Sequence, residues 1–325
     1  MAGPGRRAAW AALTAALALG LLELLAHPLA PPRAAPPGSD GALHPSAELG
    51  WEVPPGPSRA FGVRGATVVG PEGTRAPPSR ERPAGGLRLM TLGDSTVYGV
   101  LVGDHEVFSA VAAQHLEARL GRPVDAVNGG VPGYSTVQAL RMYEGRLRGY
   151  RPDVLLIATQ WSDAQLAPAP DALRFRPAAA GPRELLAHSA LFRLLEGILH
   201  GWQPVEEVRW RLEGGDGVRR VPLPLYRQNL DRMVQIAETD GAMPVLLWLP
   251  SLRDQARQPL DAPRPAYRAA MAELAAARGL LLIDGATPFQ GARGRVMLDD
   301  VHPSAEGHAL LGKIVADALH PLLRR

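Results

Sequence analysis

From residue 87 onward, apolar residues fall into two kinds of block. Short, nearly continuous apolar runs of strand length occur at Leu87–Leu92, Val124–Val127, Val154–Thr159, Pro244–Leu249 and Leu280–Asp284. Between them lie longer segments with apolar positions at helical spacing: Val107–Leu120, Thr136–Arg148, Leu225–Thr239, Pro265–Ala277 and Ser304–Leu319. Strands that read as continuous apolar runs are buried on both faces. The alternation therefore predicts an α/β fold, a three-layer α/β/α doubly wound parallel sheet.

One interruption breaks the alternation. Residues 164–223 are polar and rich in Pro and Gly apart from a helical pattern at Glu184–His200, so this stretch is expected to be an insert, a candidate lid or substrate wall. Ahead of the sheet, residues 43–86 carry short apolar stretches punctuated by Gly and Pro, such as Phe61-Gly-Val-Arg-Gly and Ala66-Thr-Val-Val, and are expected to form a β-rich lead-in to one domain spanning 43–325.

The N-terminus differs from all of this. Arg6-Arg7 precedes an apolar run from Ala8 to Ala26, close to the ~20 residues that cross a bilayer core, with Glu23 near its far end. Residues 1–27 are thus expected to be a transmembrane anchor or a cleaved signal segment. The anchor is favoured because Ala30 and Ala35, the candidate cleavage positions, are flanked by Pro or Arg. Residues 28–42 read as a Pro/Ala-rich linker. Either reading places the remainder on the exported, periplasmic or extracytoplasmic side, with the membrane as a partner.

Composition narrows the chemistry. Lys plus Arg number 35 against 32 acidic residues, no basic block is interleaved with aromatics, and a nucleic-acid partner is not expected. Cysteine is absent, which removes disulfides and thiol nucleophiles, and Lys313 is the only lysine, which argues against a P-loop or Schiff-base enzyme.

Three short segments carry candidate chemistry. Gly93-Asp94-Ser95 directly follows the first strand, where doubly wound sheets bind ligands, although Asp-Ser is also an ordinary helix cap. Asp299-Asp300-Val301-His302-Pro303 places a carboxylate three residues before an imidazole. A serine hydroxyl needs such a base, and the base needs a carboxylate on its other nitrogen. Pro303 suits the first position of the following helix, and a helix cap with a surface histidine is the alternative. Asn128-Gly-Gly-Val-Pro-Gly133-Tyr-Ser135 reads as a Gly-rich loop after the second strand that could supply an oxyanion donor, a tight turn or a phosphate cradle. His105, His115, His188 and His308 lack such partners and are read as surface or helix residues.

In this order, the three segments resemble the SGNH/GDSL hydrolase superfamily, in a membrane-anchored bacterial-type form, to which Phe61-Gly-Val-Arg64-Gly is also similar. The resemblance implies a flavodoxin-like sheet and a catalytic triad in which Ser95 attacks an acyl carbonyl, His302 is base then acid, and Asp299 orients it. It also implies oxyanion donors at the N–H groups of Ser95 and Gly133. Asp94, Asn128, Trp161 and Asp163 would line the pocket or support its loops, and no metal or organic cofactor is implied.

One block departs from the family. Where it carries Gly-x-Asn-Asp, this chain reads Gln160-Trp161-Ser162-Asp163. Ser162 then stands where an amide normally donates to the oxyanion. Ser162 could donate itself, Asn128, Gln160 or the Trp161 indole could substitute, or the enzyme could be slow or suited to another acceptor. The expected activity is hydrolysis of a carboxylic ester of short acyl or acetyl type, on a small-molecule or glycan substrate. The alternatives are an O-acyltransferase acting on an envelope glycan or lipid, and a catalytically degenerate binding domain.

Overall fold

The computed structural model describes residues 4–29, 43–46, 48–167, 169–175, 189–200 and 217–324. The chain divides into two compact units, Met1–Ser39 with Pro177–Arg209, and Asp40–Arg176 with Trp210–Arg325.

The larger unit opens with two short antiparallel hairpins, β1 (His44–Ser46) with β2 (Gly50–Glu52), and β3 (Gly56–Ser58) with β4 (Thr67–Val69). The central sheet comprises β5 (Leu87–Gly93), β6 (Val124–Gly130), β7 (Val154–Ala158), β10 (Met243–Trp248) and β11 (Leu281–Asp284). All its pairings are parallel, in the order β11-β10-β7-β5-β6. Numbered along the chain, these five strands run 2-1-3-4-5 across the sheet, the flavodoxin-like order.

Alternate residues of each strand face opposite sides, and each side has its own core. Leu89, Leu156, Val245 and Ile283 pack with Phe108, Leu116, Leu311 and Val315 of helices Phe108–Leu120 and Ala305–Leu323. Met90, Leu155, Ile157 and Leu246 pack with Val137, Tyr226, Met233 and Met271 of helices Thr136–Met142, Leu223–Thr239 and Arg264–Arg278. The apolar-run pattern located every sheet strand for this reason.

Three boundaries differ from expectation. The glycine-rich stretch is not all loop, because Asn128, Gly129 and Gly130 extend β6 beside the end of β5. A Cβ on Gly130 would lie 2.3 Å from the Tyr98 nitrogen, so glycine is required for close backbone approach rather than for a turn. The helix expected to reach Arg148 ends at Met142 and passes into a π-turn over Tyr143–Leu147. The C-terminal helix begins at Ala305 with Ser304 as its cap, its hydroxyl accepting from the Gly307 N–H, so Pro303 precedes the helix rather than starting it.

The insert contributes β8 (Leu166–Ala167), antiparallel to β9 (Val218–Arg219), and a turn of helix at Asp171–Arg174. The helical pattern at Glu184–His200 is described only from Ala190 to His200; its first residues lie outside the described ones.

In the smaller unit, Pro4–Ala26 is helical. The transmembrane reading is not borne out: among the described residues no helix is long and apolar enough to cross a membrane. The Glu23 carboxylate accepts hydrogen bonds from the Ser189 hydroxyl at 2.6 Å and the Leu191 N–H at 3.1 Å. It thereby caps the helix Ala190–His200.

Candidate active site

Ser95 stands at the carboxyl end of β5. Asp94 caps the short helix Ser95–Tyr98, its carboxylate accepting from the Thr96 N–H at 3.0 Å, so the capping reading of Asp-Ser holds. Gly93 has no room for a side chain, since a Cβ would lie 2.3 Å from a Val97 methyl. As the first helical residue, Ser95 has an N–H that the helix cannot use, and among the described residues it has no other partner. Burial pushes the Asp94 carboxyl up, while the Thr96 N–H and the nearby His302 pull it down.

The segment before the C-terminal helix brings the other two residues. His302 Nε2 lies 2.8 Å from Ser95 Oγ, across 207 positions of sequence. His302 Nδ1 lies 2.7 Å from Asp299 Oδ2. Asp299 also accepts from the backbone N–H groups of Val301 and His302 at 3.0 and 2.9 Å. Burial acts to raise the Asp299 pKa, but the hydrogen bonds and charge of His302 outweigh it and hold the carboxyl down at about 2. The segment is tied to its surroundings at three points: Thr96 Oγ1 donates to the Val301 carbonyl at 3.0 Å, the Leu252 N–H donates to the Asp300 carbonyl at 2.9 Å, and Arg264 pairs with Asp300 at 2.6 Å.

On the other side of Ser95 lies the segment after β6. The Val131 N–H donates to the Gly93 carbonyl at 3.1 Å, which holds this segment against the end of β5. Gly133 has φ +79° and, among the described residues, an N–H without a partner. The Asn128 amide donates to the carbonyl of Val97 at 2.9 Å, and its oxygen accepts from the Gly130 N–H at 2.9 Å, so Asn128 braces the two segments.

Gln160 is likewise engaged, exchanging hydrogen bonds with both backbone groups of Leu249. Ser162 is buried, and its backbone helps pull the Asp94 carboxyl down. Trp161 is buried beneath the guanidiniums of Arg264 and Arg268, at 5.1 and 5.7 Å, and its indole N–H is without a partner among the described residues. Of the substitutes for the missing asparagine, the structure thus leaves Ser162 and the Trp161 indole uncommitted, and commits Asn128 and Gln160 elsewhere. Asp163 is fully buried and accepts from the N–H and hydroxyl of Thr136 at 2.9 and 2.5 Å. Burial pushes its carboxyl up to about 7, with the Thr136 hydrogen bonds and Arg220 opposing.

Sequence reasoning missed Arg220. Its buried guanidinium pairs with buried Asp171 at 2.7 Å and donates to the Gly133 carbonyl at 2.8 Å, to Gln138 at 2.9 Å and to Gln165 at 3.3 Å. An arginine in a polar insert carries no signal for this, because its partners lie 49 to 87 positions away.

The surface reading of His308 is also corrected. The ring is 1 % exposed, stacks on Phe108, and accepts the Phe108 N–H at Nδ1. Burial pushes its pKa down to about 3, so it is neutral and structural. His105 is exposed, His115 is partly buried, and His188 lies outside the described residues. Among the described residues no group of three or more His, Asp or Glu side chains could hold a metal ion.

The family model described as GDSL-like Lipase/Acylhydrolase matches residues 91–310. No curated protein matches the chain. Among solved structures, the lipase/acylhydrolase from Enterococcus faecalis is similar at 16% identity and TM-score 0.47, over 73% of this chain and 96% of that one. The acetylxylan esterase Axe2 from Geobacillus stearothermophilus is similar at 17% identity and TM-score 0.47, over 72% of this chain and 94% of that one.

Proposed function

Because the chain belongs to the GDSL-like lipase/acylhydrolase family and is an ester-hydrolysing enzyme, we propose that it cleaves a short acyl or acetyl ester through an acyl-serine formed on Ser95. The observation that carries this reading is the unbroken hydrogen-bond chain from Ser95 Oγ through His302 to Asp299, at 2.8 and 2.7 Å.

His302 Nε2 takes the hydroxyl proton as Ser95 Oγ attacks the carbonyl carbon. The Asp299 carboxylate holds the ring by Nδ1 and stabilises the imidazolium. The oxyanion forms against the N–H groups of Ser95 and Gly133, each without a competing partner among the described residues. Ser162 or the Trp161 indole is the third donor. His302 then returns its proton to the leaving alcohol, and water repeats the sequence to release the acid.

Turnover of 4-nitrophenyl acetate by the full chain, with a fluorophosphonate probe, tests the reading. We expect label on Ser95 and a loss of about 10⁴–10⁶ in kcat for Ser95→Ala. Unchanged turnover in Ser95→Ala would overturn it, and turnover only with an added glycan acceptor would redirect it to acyl transfer.

We also propose an exported location at a membrane. Arg6 and Arg7 precede an apolar stretch, and Leu13, Leu17, Leu21 and Leu24 are exposed. Separating membrane and soluble fractions of cells that make the full chain tests this, and recovery of intact chain only in the cytosol refutes it.

A further inference from the structure

The larger unit holds a cavity of about 650 Å³, within the ~300–1,000 Å³ range of small-molecule sites. Trp161 and Asp300 are in its wall. In the chain they adjoin Ser162 and Asp299, so two wall residues are next neighbours of residues of the proposed site.

Its charge is unequal. Arg219, Arg253 and Arg264 line it against two carboxylates, Asp261 and Asp300. Arg253 pairs with Asp261 at 2.8 Å and Arg264 with Asp300 at 2.6 Å, which accounts for both carboxylates. Arg219 remains. Its one hydrogen bond among the described residues is a donation to the Ala164 carbonyl at 2.8 Å, which uses one of five N–H donors.

The backbone holds that guanidinium in place. Arg219 ends β9, whose pairing with β8 aligns it with Leu166, another residue of the cavity wall. Arg220, the next residue, is locked by Asp171, Gly133 and Gln138. The ordering that an arginine normally undergoes on binding is therefore partly complete before substrate arrives.

We propose that this cavity receives a carboxylate borne by the ester substrate, and that Arg219 is the residue that selects for it. The inference rests on the esterase reading and specifies the substrate class of that site as an anionic ester. The carboxylate could belong to the acyl group, as in a dicarboxylic monoester, or to the alcohol, as in an acetylated uronic acid. The recognition chemistry is the same for both: a charge-assisted, two-pronged hydrogen bond from a half-buried guanidinium.

Two substrate pairs test it on the full chain, each comparing kcat/KM for a carboxylate-bearing ester and its neutral counterpart after subtraction of uncatalysed hydrolysis. The acyl pair is mono-4-nitrophenyl succinate and its methyl ester. The alcohol pair is an acetylated methyl glucuronoside and the matching acetylated methyl glucoside. We expect the charged member to win by about tenfold in one pair, the preference to vanish in Arg219→Gln and only partly return in Arg219→Lys, which keeps the charge but not the two-pronged geometry, and the ratio to shrink with added salt.

Ratios at or below one in both pairs, or a preference that survives Arg219→Gln, overturn the proposal. If neither pair is turned over, the esterase reading fails, and calorimetric titration of Ser95→Ala with the succinate monoester and its methyl ester decides the subsite by itself. Anion-selective binding that is lost in Ser95→Ala, Arg219→Gln supports it, and equal binding of the two ligands overturns it.

Discussion

The imidazole flank of Ser95 and its Gly133 flank are held by different kinds of contact. On the first, Asp299 binds a histidine three residues away, its side chain is 52% exposed, and it also accepts the N–H groups of Val301 and His302. On the second, Gly133, Gln138 and Asp171 converge on Arg220, and the guanidinium and the Asp171 carboxylate are almost wholly buried. A local turn can position a carboxylate near water at low desolvation cost. A network drawn from distant segments must bury its charges, and then it is stable only when every member is paired. Damage on the first flank should therefore stay chemical, whereas damage on the second should mix chemistry with folding.

The largest expected effect on this contrast is at Asp299. Asp299→Asn keeps the shape but presents an amide to His302 Nδ1, favouring the tautomer that cannot accept the serine proton. We expect kcat to fall by roughly 10³–10⁴-fold with a smaller loss of melting temperature than Arg220→Met causes. Steady-state kinetics alongside thermal unfolding checks this, and a large loss of stability with modest loss of kcat would erase the distinction between the flanks.

Arg220 should show the opposite mixture. Arg220→Met leaves the buried Asp171 carboxylate without its main partner, a change worth about 3–5 kcal/mol of stability when a buried pair is broken on one side. The double variant Arg220→Met, Asp171→Asn removes that lone charge. It should recover most of the stability while kcat stays down by about 10–100-fold with KM within about twofold, because the Gly133 carbonyl is still unheld. If the double variant regains full kcat, Arg220 is a folding residue only.

The same contrast explains what was legible in the sequence. The five strands could be read because parallel strands buried on both faces must be apolar throughout, as at Val154–Ala158. Asp299 and His302 could be paired because they lie three residues apart, and Ser95 stood out because it follows a strand end, but only the family resemblance linked Ser95 to His302 across 207 positions. β6 was drawn short because glycines at 129 and 130 hide a strand that they serve by close packing. His308 was misjudged because a helix repeat alone does not say which face packs on Phe108. Arg220 and Arg219 were invisible, since nothing local distinguishes a pinned arginine from a solvated one. The N-terminal run shows the limit of composition, which signalled an apolar helix but not that Glu23 caps Ala190–His200.

The remaining expected effect is on pH dependence, and it has opposite signs on the two flanks. Asp299 is held down at about 2 against an ordinary 3.8, so its contribution to stability is complete above about 4 and is lost as pH falls through 2. Asp163, next to the Arg220 network, is pushed up to about 7. Between 3.8 and 7 the folded chain therefore holds a proton that the unfolded chain has released. Stability falls as pH rises across that window, by up to about 1.4 kcal/mol per unit, and levels off above 7. Asp163→Asn mimics the protonated carboxyl and has no proton to lose. Its stability relative to the parent should rise from pH 4 to pH 7 and then stay constant, as read from urea midpoints at a series of pH values. A difference that is flat across that range would mean that the buried carboxyl is already ionised at pH 4, and that its hydrogen bonds from Thr136 outweigh its burial.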